Sequence, residues 1–204
     1  DLAKKIDIWN KKLRDAWPSQ NFSLFMADNK LCLNRSSLPD NPDHSPLKGI
    51  PIQVLKFYSC PKLSNISFVE NLPIEEIVLY GCPLITDISS LKNLKLQSVY
   101  LEAISVKDIN ALSNSALTTA KLRAIPITTI KPILNQPIKD LEFYDIKLTN
   151  YNELKSFKLE RLNLTYCFIT DLEFLNLEKL KVLTINGGTI KDISILKNSN
   201  LDKF

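Results

Sequence analysis

The sequence predicts a right-handed α/β solenoid, with a parallel sheet on the concave face and short 3₁₀ or irregular turns on the convex side. Three observations carry that expectation: a 21–22-residue period, an apolar composition loaded into two residue types, and an amphipathic N-terminal stretch outside the period. Leu and Ile supply 33 and 22 of the 204 residues, against 8 Ala, 6 Val and 4 Gly. So few glycines argue against nucleotide folds, whose phosphate loops need two or three together. With 45% apolar and 24% charged residues, global disorder is excluded.

Repeat starts fall at Ile52, Ile74, Leu96, Leu117, Ile138, Leu159, Leu180 and Leu201, with steps of 22, 22, 21, 21, 21, 21 and 21 residues. Each complete unit reads L-x-x-L-x-L, then a turn, then a second apolar group such as Ile85, Ile88 and Leu91. The alternating half predicts a short strand with Leu55 and Phe57, Ile77 and Leu79, and their equivalents inward. The three-residue spacing that follows suits a 3₁₀ turn. Just before the second apolar group stand Asn65, Asp87, Asp108, Thr129, Asn150, Asp171 and Asp192, whose side-chain oxygens are expected to cap the turn's free amides.

The L-x-x-L-x-L motif followed by "ITDISSLKNLKL" or "ITDLEFLNLEKL" resembles the short repeats of bacterial internalin-type leucine-rich-repeat proteins, over about residues 45–204. The resemblance implies a leucine-rich-repeat horseshoe. One position departs from it. Where the family places an inward Asn that bonds backbone groups of neighbouring turns, this chain has Cys60, Cys82, Ile104, Ile125, Ile146, Cys167 and Gly188. Those backbone groups must find other partners. "SPLKGIPIQVL" also resembles repeats appended to some bacterial serine/threonine kinases, although no kinase motif is present.

At the N-terminus Leu2, Ile6, Trp9, Leu13 and Trp17 form one face of an amphipathic helix ended near Pro18. Its basic opposite face would suit a membrane surface; a cap over the exposed end of the solenoid core is the reading favoured. "KLCLNRSSL" reads as a degenerate first strand, and "LPDNPDHSPLKGI" as a loop before the first regular repeat. Residues 1–44 are thus expected to form the cap and degenerate repeat, and 45–204 seven complete repeats plus a partial eighth begun by Leu201 and Phe204. The chain opens at Asp1 without Met, as expected of a processed protein or a fragment.

The net charge of +4 is mild, and no apolar run is long enough to span a bilayer. The cysteines Cys32, Cys60, Cys82 and Cys167 have no paired metal-ligand spacing, and His44 is the sole histidine, so neither a metal site nor a cofactor is expected. Cys60 and Cys82 occupy equivalent sites in adjacent repeats; a disulfide is geometrically open, buried thiols the commoner outcome. Unpaired cysteines lean towards a reducing compartment.

Strands about 4.8 Å apart would spread a face roughly 35 Å long over eight strands. Its solvent positions place Tyr58, Tyr80 and Tyr144 in one column and Tyr100 one step across. Around them stand Lys56, Lys121, Arg123 and Arg161 against Glu76, Glu102, Asp140 and Glu142. Exposed Tyr and Arg favour protein hot spots, although Tyr also suits strands for its own sake. Mixed signs argue against nucleic acid, which wants a basic stripe. Glu102, Asp140 and Glu142 could imitate a glycosidase pair, but an open sheet does not split carboxylate pKa values readily.

The expected function is therefore non-enzymatic binding of a protein or peptide by a monomer, through Lys56, Tyr58, Tyr80, Tyr100, Glu102, Lys121, Arg123, Glu142, Tyr144 and Arg161. Two alternatives stand beside it: a regulatory tail of a larger signalling protein, and surface or carbohydrate adhesion.

Overall fold

Seven short strands follow the predicted period: β3 Val54–Tyr58, β4 Glu76–Tyr80, β5 Ser98–Glu102, β6 Thr119–Arg123, β7 Asp140–Tyr144, β8 Arg161–Thr165 and β9 Val182–Asn186. They pair in parallel and in register, so Phe57, Leu79, Leu101, Leu122, Phe143 and Leu164 stack in one fully buried column. This is a computed structural model, and it describes residues 1–39 and 42–203. Phe204, expected in the partial eighth repeat, and Asp40 and Asn41 of the connecting loop lie outside the described residues. Beyond β9, Lys203 forms an isolated parallel bridge with Val182.

The convex side is a series of 3₁₀ turns, among them Ser67–Asn71, Ser89–Leu91, Asn110–Leu112, Lys131–Ile133, Tyr151–Ser156 and Ser194–Asn198. All seven capping residues make the expected bond, each to the backbone N–H two residues on. Asn65 accepts from Ser67 at 2.6 Å, Asp87 from Ser89 at 2.7 Å, Asp108 from Asn110 at 2.6 Å and Thr129 from Lys131 at 3.2 Å. Asn150, Asp171 and Asp192 do the same for Asn152, Glu173 and Ser194. These are Asx-type turns, or the hydroxyl equivalent at Thr129, and six of the seven aim the chain into a 3₁₀ segment while satisfying an amide of its first turn; Asp171 leads into a plain turn. The accepted bonds hold the exposed Asp87 and Asp192 carboxyls below the usual range.

The missing asparagine column is replaced piecemeal. The Cys60, Cys82 and Cys167 thiols donate to strand carbonyls two residues back, at 3.4, 3.6 and 3.5 Å. The Tyr151 hydroxyl reaches both the Ile146 and the Cys167 carbonyl, at 2.7 and 2.9 Å. All four cysteines are buried and free. Cys60 and Cys82 influence each other across adjacent repeats: the neighbouring Cys82 draws the Cys60 thiol down against the opposing effect of burial, while Cys60 and burial push the Cys82 thiol up.

Helix α1, Leu2–Ala16, sets Leu13 and the following Trp17 in the core and packs Ile6 and Trp9, partly buried, against it, while Leu2 at its start is exposed. It docks through Asn10 Nδ2 to the Leu24 carbonyl and Trp17 Nε1 to the Asp43 carbonyl, at 3.1 and 2.8 Å. Between α1 and the repeats the sheet gains a hairpin. β1, Asn21–Ala27, pairs antiparallel with β2, Lys30–Ser36, and β2 leads into β3 in parallel, making nine strands. The sequence pattern predicts only the second of these strands. The turn is Asp28-Asn29, both at positive φ, the two-residue loop whose twist suits a hairpin.

Arg35 on β2 pairs with Phe57 and opens the buried column. Its guanidinium lies 3.6 Å from the centre of the Trp17 ring, and it donates to Gln20 and to His44 Nδ1, the latter at 2.8 Å. His44 in turn stacks on Phe68 at 3.8 Å. Burial, then the Arg35 charge, pulls the His44 pKa down to about 3, so the ring is a neutral acceptor at ordinary pH.

Candidate functional site

Alternation along each strand leaves its first, third and fifth residues on the concave face, and the parallel register sets equivalent positions side by side. All ten predicted residues lie on these strands. Tyr58 and Tyr80 are directly paired, their rings 6.3 Å apart and both exposed. The same column then runs Glu102, Arg123 and Tyr144. Lys56 pairs with Val78 and stands apart from the charged residues at the centre.

The centre is a network. Arg123 Nη1 donates to Glu102 Oε2 and to the Tyr100 hydroxyl, both at 3.0 Å, and Tyr100 donates to Glu102. Arg123 Nε faces Glu142 Oε1 at 3.3 Å, an ion-pair contact without hydrogen-bond geometry, and Lys121 Nζ approaches the same carboxylate at 3.8 Å. The guanidinium also covers the Tyr144 ring at 4.6 Å. Burial, then the bond to Glu102, raises the Tyr100 pKa, which keeps the phenol protonated as a donor. Arg161 is an outlier, exposed and paired with Asp140 at 3.3 Å.

Charges read as alternating in the sequence are therefore neutralised between neighbours rather than left for a ligand. This holds the aromatic rings in fixed orientations, a preorganised surface. Among the described residues there is no cluster of His, Cys, Asp and Glu fit to hold a metal ion, and no helix long and apolar enough to cross a membrane.

The sequence reading missed a row of left-handed residues at the strands' ends. Ser59, Gly81, Ala103, Ala124, Asp145, Tyr166 and Gly187 all have φ between 47° and 80°. Each of the first six extends the sheet by one bond, such as Ser59 N–H to the Tyr80 carbonyl at 2.8 Å and Tyr166 N–H to the Asn186 carbonyl at 2.7 Å. Only two of the seven are glycine, so composition gave no sign of the row. It also carries exposed aromatics outside the predicted set: Tyr166, and Phe168 two residues beyond it.

No protein-family model matches the sequence, and no curated protein matches it. Solved structures do. An internalin (inlF) from Listeria monocytogenes superposes with a TM-score of 0.62 at 21% identity, over 87% of this chain and 52% of that one. Internalin C2 (inlC2) from the same organism gives 0.56 at 25% identity, over 78% of this chain and 63% of that one. The chain thus spans about half to two thirds of the length of these neighbours. With the parallel sheet, the 3₁₀ turns and the N-terminal helix, they show the chain to be a leucine-rich-repeat solenoid of short, internalin-like repeats.

Proposed function

We propose that this chain is a non-enzymatic recognition module that binds a protein or peptide on its concave face. The leucine-rich-repeat fold suggests protein interaction in general. The concave site rests on one observation: Tyr100, Glu102, Arg123, Glu142 and Tyr144 form a single half-buried network across three adjacent strands, beside the exposed pair Tyr58 and Tyr80. Rigid aromatic and arginine side chains are the usual anchors of protein interfaces, because little side-chain entropy is lost when a partner covers them. Internal neutralisation of the charges favours a partner of mixed polarity over a polyanion.

The experiment is capture of binding partners by the full chain, compared with a Tyr100→Ala, Arg123→Ala variant. Loss of capture by a variant that stays folded, its melting temperature lowered by only about 5 °C or less, supports the concave site. Undiminished capture by the folded variant removes it.

A further inference from the structure

The exposed rim above the strand ends of the last repeats departs from the repeat pattern. In the left-handed row every residue is small or short except Tyr166. Phe168 is itself left-handed, at φ 55°, whereas Pro61, Pro83, Ser105, Pro126, Lys147 and Thr189 at the equivalent positions are not. A bulky side chain resists that conformation, because Cβ crowds the following carbonyl. Both rings are nevertheless presented to solvent, Tyr166 at 46% and Phe168 at 65% exposure. Burial therefore returns little of what the backbone gives up, and such residues gather at functional surfaces.

The next repeat is adapted to them. A β-carbon on Gly187 would lie 2.7 Å from Tyr166 Cδ1, and one on Gly188 would lie 2.5 Å from the Ile169 carbonyl oxygen. The chain's one Gly-Gly pair thus makes room for the Tyr166–Phe168 segment. Tyr166 packs edge-on against Tyr144 at 5.2 Å, and Lys147 Nζ lies 5.9 Å from the Phe168 ring. Beyond Lys147 opens a groove of about 410 Å³, whose exposed apolar lining is Ala124 and Pro126, with the buried Ile125 and Ile127 beneath and Thr128, Asp145 and Lys147 at its edges. Lys147 is well exposed and meets Asp145 only at 4.0 Å, so its charge is barely compensated.

We propose that this rim is a second docking site, for an extended protein segment carrying bulky apolar side chains beside a carboxylate. One apolar side chain fills the groove and another lies on Phe168 and Tyr166. The two subsites are about one and a half strand spacings apart, roughly 7 Å, which is the rise of two extended residues. The carboxylate meets Lys147.

The site is tested by selecting short linear peptides from a random display library on the immobilised full chain. Selected peptides are then measured by fluorescence anisotropy against the wild type, Phe168→Gly and Tyr100→Ala. Glycine suits the left-handed position, so Phe168→Gly removes the ring without lowering the melting temperature. The expected result is enrichment of peptides with two apolar residues separated by one, next to Asp or Glu. Their affinity falls about tenfold or more in Phe168→Gly, the effect of losing an aromatic anchor, and is unchanged in Tyr100→Ala. Failure to enrich such peptides, or full affinity for Phe168→Gly, overturns the rim site. Peptides lost only in Tyr100→Ala overturn it while supporting the concave face; peptides lost only in Phe168→Gly support it alone.

Discussion

Gly187 lies so close to Tyr166 that a β-carbon on it would meet the neighbouring ring at 2.7 Å and the Tyr166 Cα at 3.2 Å. One repeat's exposed aromatic is thereby written into the next repeat's glycine. Gly187→Ala adds that clash to a φ of +80°, and Gly188→Ala drives a β-carbon into a backbone oxygen. Each is expected to lower stability by about 2 kcal/mol, the usual effect of overpacking, measured by urea denaturation. In a Tyr166→Gly background the loss from Gly187→Ala should shrink, while that from Gly188→Ala should persist.

Phe168→Gly should act in the opposite direction. Relief of the left-handed conformation is worth about 1 kcal/mol, and the largely exposed ring gives up little packing. Equilibrium unfolding should show the variant as stable as the wild type or more so. A destabilised variant would mean that Phe168 is a packing residue.

His44 makes the N-terminal end sensitive to acid. The unfolded imidazole takes a proton near 6.5, the folded one only near 3, because burial and then Arg35 oppose its charge. Between those values the unfolded state binds more protons, so stability is full above pH 6.5 and is lost progressively as pH falls towards 3. The loss should reach a few kcal/mol. His44→Gln keeps an acceptor for Arg35 and removes the titration. Stability measured from pH 7 to pH 4 should therefore fall less steeply in that variant than in the wild type.

The repeat architecture was legible because the apolar pattern recurs every 21–22 residues, and all seven caps because only Asp, Asn or Thr stands there. The hairpin was missed although Asp28-Asn29 signals it, since β1 exposes Phe25 and Met26 and its pattern does not repeat. Arg35 was not read as a core residue, because composition assigns charges to the surface; its burial depends on Trp17, Gln20 and His44, which lie 9 to 18 positions away in sequence. Alternation along the strands accounts for where the ten proposed residues lie. Their mutual neutralisation was not foreseen, since it depends on which strands are adjacent and on how far each side chain reaches. The rim was invisible because its signal is a backbone angle at Tyr166 and Phe168 rather than a residue type.

Arg123→Ala should lower stability by only about 1 kcal/mol, because its ion pairs and hydrogen bonds lie on a half-exposed face. Thermal unfolding checks this, with Lys56→Ala, which lies outside the network, as the near-neutral comparison.

The central claim is that the concave network recognises a partner. Its most direct measurement is the dissociation constant of a captured protein partner for the wild type and for the folded Tyr100→Ala, Arg123→Ala variant. Weakening of about a hundredfold is expected, the effect of removing two anchors, with the variant still folded. Equal affinity in the two proteins would contradict it.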